Sequence, residues 1–381
     1  MFTRLYIHIP FCRRKCPYCA FVSQESENSL GSYPELLLKE MRLASQKAAP
    51  QKPLQSIYFG GGTPSLLEPG QVAGLIAEAR NTFGLSTRVE ISLEANPGAV
   101  DHERLAGFRS AGVNRLSLGV QSFDDRMLKT LGRIHSAQQA RDAFSAARSA
   151  GFTNIGIDLI HALPGQTDQM WHTDLEQALQ LAPEHISVYG LSVEEQTPFA
   201  ELYAEDSPLL PDEELAASMF ETADTQLTAH GYEHYEIANY ARPGFRSRHN
   251  SGYWQRDGYL GLGAGAHSFL RNEHYGIRVA NTPDIDKYSA TIQAGGLARE
   301  DVTFLSREDA MAEFMFLGLR LADGVEFSTF EQEFGVSPES VYATVFNELV
   351  TAGLLKRINN SVSLTRRGML LSNPVFARFL P

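Results

Sequence analysis

At 381 residues the chain has room for two or three domains of about 150 residues each. Hydrophobic residues make up 43% and charged residues 20%, which fits a packed core and excludes a disordered chain. The net charge of −12 weighs against general phosphate-backbone binding, which needs clustered Lys and Arg, so no nucleic-acid partner is expected. No apolar run approaches the roughly 20 residues that cross a bilayer, so no integral membrane segment is expected. The N-terminus lacks the long apolar core and small-residue cleavage site of a secretion signal. A soluble, cytoplasmic protein is expected.

The first half repeats a strand-then-helix rhythm. Short apolar, β-rich runs fall at residues 5–10, 56–59, 89–93, 115–120, 154–160 and 185–191. Helix-period segments lie between them at 33–48, 68–83, 101–110, 136–150 and 167–182, and Gly84, Gly112 and Gly151 sit where a helix C-cap glycine belongs. Such alternation implies parallel strands joined by crossover helices. With near-continuous apolar strands, a six-stranded partial βα barrel is expected over 1–232, and an open doubly wound sheet is the competing layout.

A long helix is expected within 208–231. Residues 232–282 are rich in Gly and Tyr without a clear helical period, and they read as extra strands and loops packed beside the barrel, with 233–300 as the boundaries. From 301 to 381 the character changes. Helical patterns at 307–321 and 338–352 precede two short strands around Asn359 and Asn360, which makes a winged-helix-like α+β module. That module carries seven Lys and Arg against ten Asp and Glu, so a packing or lid role is preferred over DNA reading.

All three cysteines lie within eight residues, as Cys12, Cys16 and Cys19 in the spacing C-x-x-x-C-x-x-C. An odd number so tightly spaced excludes a disulfide framework and points to metal. Thiolates favour zinc or iron–sulfur clusters. Zinc would want a regularly spaced fourth Cys or His; no later cysteine exists, although His8 is nearby. Three thiolates on one loop suit a 4Fe–4S cube with one iron left open.

The cysteine spacing after a first strand, with the aromatic Tyr18 directly before the last cysteine, resembles the radical S-adenosylmethionine (SAM) superfamily. That resemblance implies SAM bound through its amino and carboxylate groups at the open iron, and reduction of the sulfonium to a 5′-deoxyadenosyl radical. Gly60–Gly62, Thr63 and Pro64 follow the second strand, where backbone can approach a ligand closely. Glu94, Gln121 and Asp158 close or lie late in otherwise apolar strands, on the C-terminal rim where barrel sites are built.

More narrowly, LYIHIPFCRRKCPYCAF, YFGGGTPSLL, LEANP, RLSLGVQSFDDRMLKTLGR and NIGIDLIHALPGQT resemble the oxygen-independent coproporphyrinogen oxidase family. The likeness is dense over 5–190 and weaker beyond. It implies SAM contacts from Tyr6, Gly61, Gly62, Thr63, Glu94, Gln121, Arg133 and Asp158. Gln121, Arg133 and Asp158 correspond to residues that touch a second SAM in the oxidase branch. The oxidase proper tends to have a further cysteine two positions after the third, where this chain has Phe21. The pattern therefore resembles the HemW branch, whose members look like haem chaperones and not decarboxylases.

His249, Asn250, Tyr253 and Trp254 fit the H-N-x-x-Y-W motif associated with haem in that branch. His249 is the expected iron ligand, and Tyr253 or Trp254 the stacking partner. The plain alternative is a loop histidine with two core aromatics. The adjoining stretch to His267 is expected to wall the same cavity, without His267 as a ligand. The leading expectation is a radical-SAM-type haem chaperone that binds haem or a related tetrapyrrole, passes it to an acceptor protein, and forms a homodimer. The alternatives are a tetrapyrrole enzyme (a coproporphyrinogen oxidase or a porphyrin-modifying methyltransferase) and a cluster-sensing winged-helix regulator.

Overall fold

A computed structural model describes residues 1–26, 30–48, 50, 52–203 and 207–381. Six parallel strands form the centre: β1 (Arg4–Ile9), β2 (Leu54–Gly61), β3 (Leu85–Ala95), β4 (Arg115–Gln121), β5 (Ile155–His161) and β6 (His185–Gly190). They lie in chain order, each hydrogen-bonded to the next. A doubly wound sheet would reverse its order at a switch point. Sequential order with right-handed crossovers instead sends every helix to one face and leaves the other face as a lumen, the winding of a partial barrel.

The strands are not the near-continuous apolar runs that the sequence reading expected. They alternate, with Ile160 an apolar exception on the lumen side. Leu5, Ile7, Ile9, Ile57, Phe59, Ile91, Leu93, Leu116, Leu118, Ile157 and Leu159 are buried against the helical layer. The intervening positions are polar or aromatic: Arg4, Tyr6 and His8, then Ser56 and Tyr58, Glu90, Ser92 and Glu94, Arg115 and Ser117, Asp158, His185 and Ser187. The register sets Arg4 beside Ser56, Tyr6 beside Tyr58, Glu94 beside Ser117, and Asp158 beside Ser187, so the polar set lines the lumen in layers. Each fully buried aliphatic side chain on the outer face is worth about 1.5–3 kcal/mol.

The crossover helices run at Tyr33–Ser45 (α1), Pro69–Phe83 (α2), His102–Ala111 (α3), Asp125–Thr130 (α4), Ala137–Ser149 (α5) and Asp168–Leu181 (α6). Glu68 with Gln71 and Ser136 with Gln139 form capping boxes on α2 and α5. Gly112 closes α3 in the left-handed region at φ 109°, where a side chain would be strained. The short α4 was not foreseen.

Both edges of the sheet are extended. On one side β6 pairs antiparallel with β8 (Asn239–Ala241), which pairs with β7 (Glu233–Glu236). On the other, β9 (Tyr259–Leu262) runs parallel to β1, and β10 (His267–Leu270), β11 (Ile277–Asn281) and β12 (Arg299–Phe304) follow antiparallel. The strands expected beside the barrel thus belong to one twelve-stranded sheet, and this sheet runs past residue 300. Helix Glu213–Ala229 matches expectation, while Ile285–Gln293 and Arg248–Trp254 are helices the sequence reading missed.

Beyond Ser306, helices Arg307–Gly318, Phe327–Phe334 and Pro338–Thr351 pack with a three-stranded sheet of Val325–Glu326, Leu355–Ile358 and Ser361–Leu364 around their own core. The hairpin turns at Asn359, whose φ of 52° suits asparagine. Among the described residues no helix is long and apolar enough to cross a membrane.

Glu40 on α1 pins the sheet's extension. Its carboxylate, pushed up by burial, accepts from Gly263 N–H at 2.8 Å, Tyr288 O–H at 2.7 Å and Asn281 Nδ2 at 2.6 Å. Glu40→Ala strands three buried donors and is expected to cost about 3 kcal/mol. Denaturant unfolding checks this; a loss within about 0.5 kcal/mol would match an ordinary surface change instead.

Candidate functional site

The loop after β1 turns sharply through Cys12, Cys16 and Cys19, with Cys19 N–H bonded to the Cys16 carbonyl at 3.0 Å. It opens onto a cavity of about 370 Å³ at the C-terminal ends of the strands. Cys12, Cys16, Cys19, Tyr18, Gly61, Gly62, Thr63, Glu94, Gln121, Arg133 and Asp158 all line it. Every proposed SAM contact is there except Tyr6, which lies deeper, its hydroxyl 3.0 Å from His8 Nδ1 and its ring stacked on Tyr58. Ser117, Asn96 and Tyr189 also line the cavity and were missed, although Ser117 occupies one of the alternating lumen positions.

Close approach fixes the glycines. A Cβ on Gly62 would lie 2.7 Å from the Phe11 carbonyl oxygen and 3.0 Å from Cys12 Sγ. One on Gly61 would enter the His8 ring, whose Nε2 is 2.7 Å from the Val22 carbonyl oxygen beyond the cysteine loop. Backbone and sulfur are thus packed as tightly as they can be. Thr63 Oγ1 approaches Cys12 Sγ at 3.5 Å, and Arg133 donates to Cys16 Sγ at 3.6 Å and to the Gly119 carbonyl at 2.6 Å. Burial pushes the Cys12 and Cys19 thiols up.

The Arg133 Nε is buried without a partner beside this loop. A cationic side chain with an unused donor next to three sulfurs fits an anionic sulfur-bound cluster. Among the described residues no three His, Cys, Asp or Glu side chains converge on a single-ion point. A cube takes one sulfur per corner and needs no such convergence, whereas mononuclear zinc does.

Glu94 accepts from Tyr58 O–H at 2.8 Å and from Gly61 N–H at 3.2 Å. Burial pushes its carboxyl up to about 7, against the pull of the Tyr58 hydrogen bond. Burial also raises Asp158, which accepts from Ser117 Oγ at 3.2 Å. Gln121 sits at a register shift ending β4 with φ 71°, a left-handed conformation that turns its side chain into the cavity.

The H-N-x-x-Y-W residues lie elsewhere. They form a seven-residue helix, Arg248–Trp254, that plugs the opposite end of the lumen. Glu90 accepts its first free N–H groups, from Arg248 at 3.0 Å and His249 at 2.9 Å. His249 is fully buried, with Nδ1 2.8 Å from Ser56 Oγ and Nε2 2.7 Å from Tyr253 Oη. Burial drives its pKa well below the ordinary histidine value, so the ring is neutral. Both nitrogens are engaged. The Arg4 guanidinium covers Gly252, and the Arg320 guanidinium lies 4.2 Å over Trp254. As folded, the motif is a floor and a joint to the C-terminal module. In the stretch leading to His267, the Tyr259 ring packs edge-on against Tyr253 at 4.5 Å, Gly263 packs on the His8 backbone, and His267 is exposed.

A partial barrel whose first loop carries three cysteines beneath a glycine-rich turn is the build of a radical SAM protein. A family model described as Radical SAM superfamily matches residues 6–178, and one described as HemN C-terminal domain matches 305–371. The chain is 37% identical to "Heme chaperone HemW" of Bacillus subtilis (strain 168) over 98% of both chains. It is 35% identical to the protein of that name from Escherichia coli (strain K12), covering 99% of this chain and 97% of the relative. Coproporphyrinogen III oxidase (HemN) from Escherichia coli superposes with a TM-score of 0.85, covering 99% and 90% of the two chains at 24% identity, and so shares the fold. The chain belongs to the HemW family of the radical SAM superfamily.

His249→Ala removes a ring that two buried hydroxyls and the Tyr58 face all use, and is expected to destabilise the protein by about 2–4 kcal/mol. Thermal unfolding of the variant checks this; an unchanged Tm would mean that the floor tolerates the gap.

Proposed function

We propose that this protein is a haem chaperone of the HemW type, which takes up haem and passes it to an acceptor protein. In this reading Cys12, Cys16 and Cys19 hold a 4Fe–4S cluster, and SAM occupies the 370 Å³ cavity. The observation that carries it is the convergence of those cysteines with Gly61, Gly62, Thr63 and Glu94 on one cavity, in a chain alignable end to end with HemW relatives. When bound, the cluster supplies an electron to the sulfonium of SAM.

The chain's own residues do the positioning. The Gly61–Gly62 backbone, with Gly61 at φ 113°, carries no side chains and lets the ligand lie close against the strand end. Glu94 receives the SAM amino group, while Tyr58 holds the carboxylate in place. Arg133 offsets charge at Cys16, and Gln121 and Asp158 face the cavity from the far wall. The competing reading, a decarboxylating oxidase, draws on the shared HemN fold. It is weakened by Phe21 at the position where the oxidase tends to carry a further cysteine.

Anaerobic reconstitution tests the cofactor assignment. Replacing Cys12, Cys16 or Cys19 with Ser should abolish the cluster's visible absorption. Gly62→Ala should lower iron and sulfide content, because its Cβ intrudes on the Cys12 sulfur. Supplied with coproporphyrinogen and SAM, the wild type should yield no protoporphyrinogen; turnover would favour the oxidase.

SAM affinity should also follow pH. Glu94 is raised to about 7, so it is largely protonated at pH 6 and ionised at pH 8. An ammonium binds the ionised carboxylate better, so affinity should rise through that window and the rise should vanish in Glu94→Gln. Isothermal titration of SAM at the two pH values measures it.

A further inference from the structure

Both His249 nitrogens are engaged by Ser56 and Tyr253, whereas the mouth of the cysteine cavity presents an open surface. Phe21 is 67% exposed and Tyr189 42% exposed, and both line the opening of the cysteine-bearing cavity. Large aromatic side chains left bare beside a cavity mark a binding surface. Arg14 and Lys15 line the same opening, within the run Arg13–Lys15 that separates Cys12 from Cys16.

Three adjacent cations are unexpected in a chain of net charge −12. Charge balance for the sulfurs does not need all of them, because the buried Arg133 already sits on Cys16. Arg14 is exposed and has no acidic partner among the described residues. The Lys15 ammonium donates to the carbonyl oxygens of Phe21 and Ser23, at 3.3 and 3.2 Å, beside the aromatic ring, and the Glu25 carboxylate accepts from the Lys15 backbone N–H at 2.8 Å. The opening thus joins flat apolar faces to exposed cations.

We propose that the face of the haem macrocycle docks on Phe21 and Tyr189 at the mouth of the cysteine cavity, with its carboxylate arms on Arg14 and Lys15. This placement rests on the haem-chaperone reading above. It uses the two chemical features that haem presents besides its iron: a planar apolar ring and two anionic arms. Aromatic stacking seats the first, and charge-assisted hydrogen bonds hold the second.

Haemin titration of the reconstituted protein, followed by the Soret band, tests it. Arg14→Glu and Phe21→Ser should each weaken haem binding by about tenfold or more. The cluster's visible absorption reports whether the loop in each variant is intact. In wild-type protein, the dimethyl ester of protoporphyrin, which lacks free carboxylates, should bind more weakly than protoporphyrin itself. Wild-type haem affinity in both variants, with loss only in His249→Ala, would overturn the mouth site and leave the chaperone reading standing. No haem binding by the wild type would sink the chaperone reading and this placement together.

Discussion

Alternation along six strands is the constraint on which everything else rests. Each crossover helix takes up one apolar face, so the opposite face of each strand is committed to the lumen. Had those lumen positions been apolar as well, they would have filled the barrel as a second core. Being polar, they must find hydrogen bonds inside the protein or with a ligand. Near the floor some of them find each other, as Arg4 does with Ser56, and Ser56 with His249, while Ser92 Oγ and the Arg115 Nε and Nη1 are buried without a partner. Near the C-terminal ends Glu94 accepts from Tyr58 and Gly61, Asp158 accepts from Ser117, and both face open space together with Arg133.

The contrast between a packed outer face and a polar lumen explains which parts of the molecule were legible in its sequence. Crossover helices and strands announced themselves through periodicity and C-terminal glycines, and their ends fall within a few residues of the expected ones. The cysteine spacing and the Gly60–Gly62 run announced the cavity, because ligand chemistry and close backbone approach leave few residue choices. Lumen alternation was also written there, in runs such as Arg115, Ser117 and Gly119 between leucines, but it is easily read as a continuous apolar strand. Ser117 was missed for that reason. Long-range pairing was not legible: nothing local tells Tyr259–Leu262 to lie parallel to β1, nor Asn239–Ala241 to cap the opposite edge.

His249 illustrates a different limit. A motif fixes residue types and spacing on a short helix, but not the direction in which that helix faces. Here the helix is capped by Glu90, clamped under Arg4 and braced by Arg320 from the C-terminal module, so its histidine points into the lumen. The ring of Tyr58 lies 5.0 Å from that of His249, and the Tyr58 hydroxyl holds Glu94. One aromatic side chain therefore spans the distance between the floor and the cavity, and a change at either end is felt by the other through packing and not through charge.

The cysteine loop carries two duties for the same reason. Cys12 is buried against Gly62 and Thr63, which anchors the loop, whereas Arg13, Arg14 and Lys15 between Cys12 and Cys16 are exposed. Rigid sulfur positions at both ends hold the intervening cations at a defined place on the rim, at little cost in side-chain order beyond their own. Phe21 follows directly, its carbonyl held by Lys15, so the ring and the cations are fixed relative to each other by one short segment. A docking surface built this way depends on the loop being closed around its sulfurs, and so the integrity of the metal site and the shape of the mouth are one physical property.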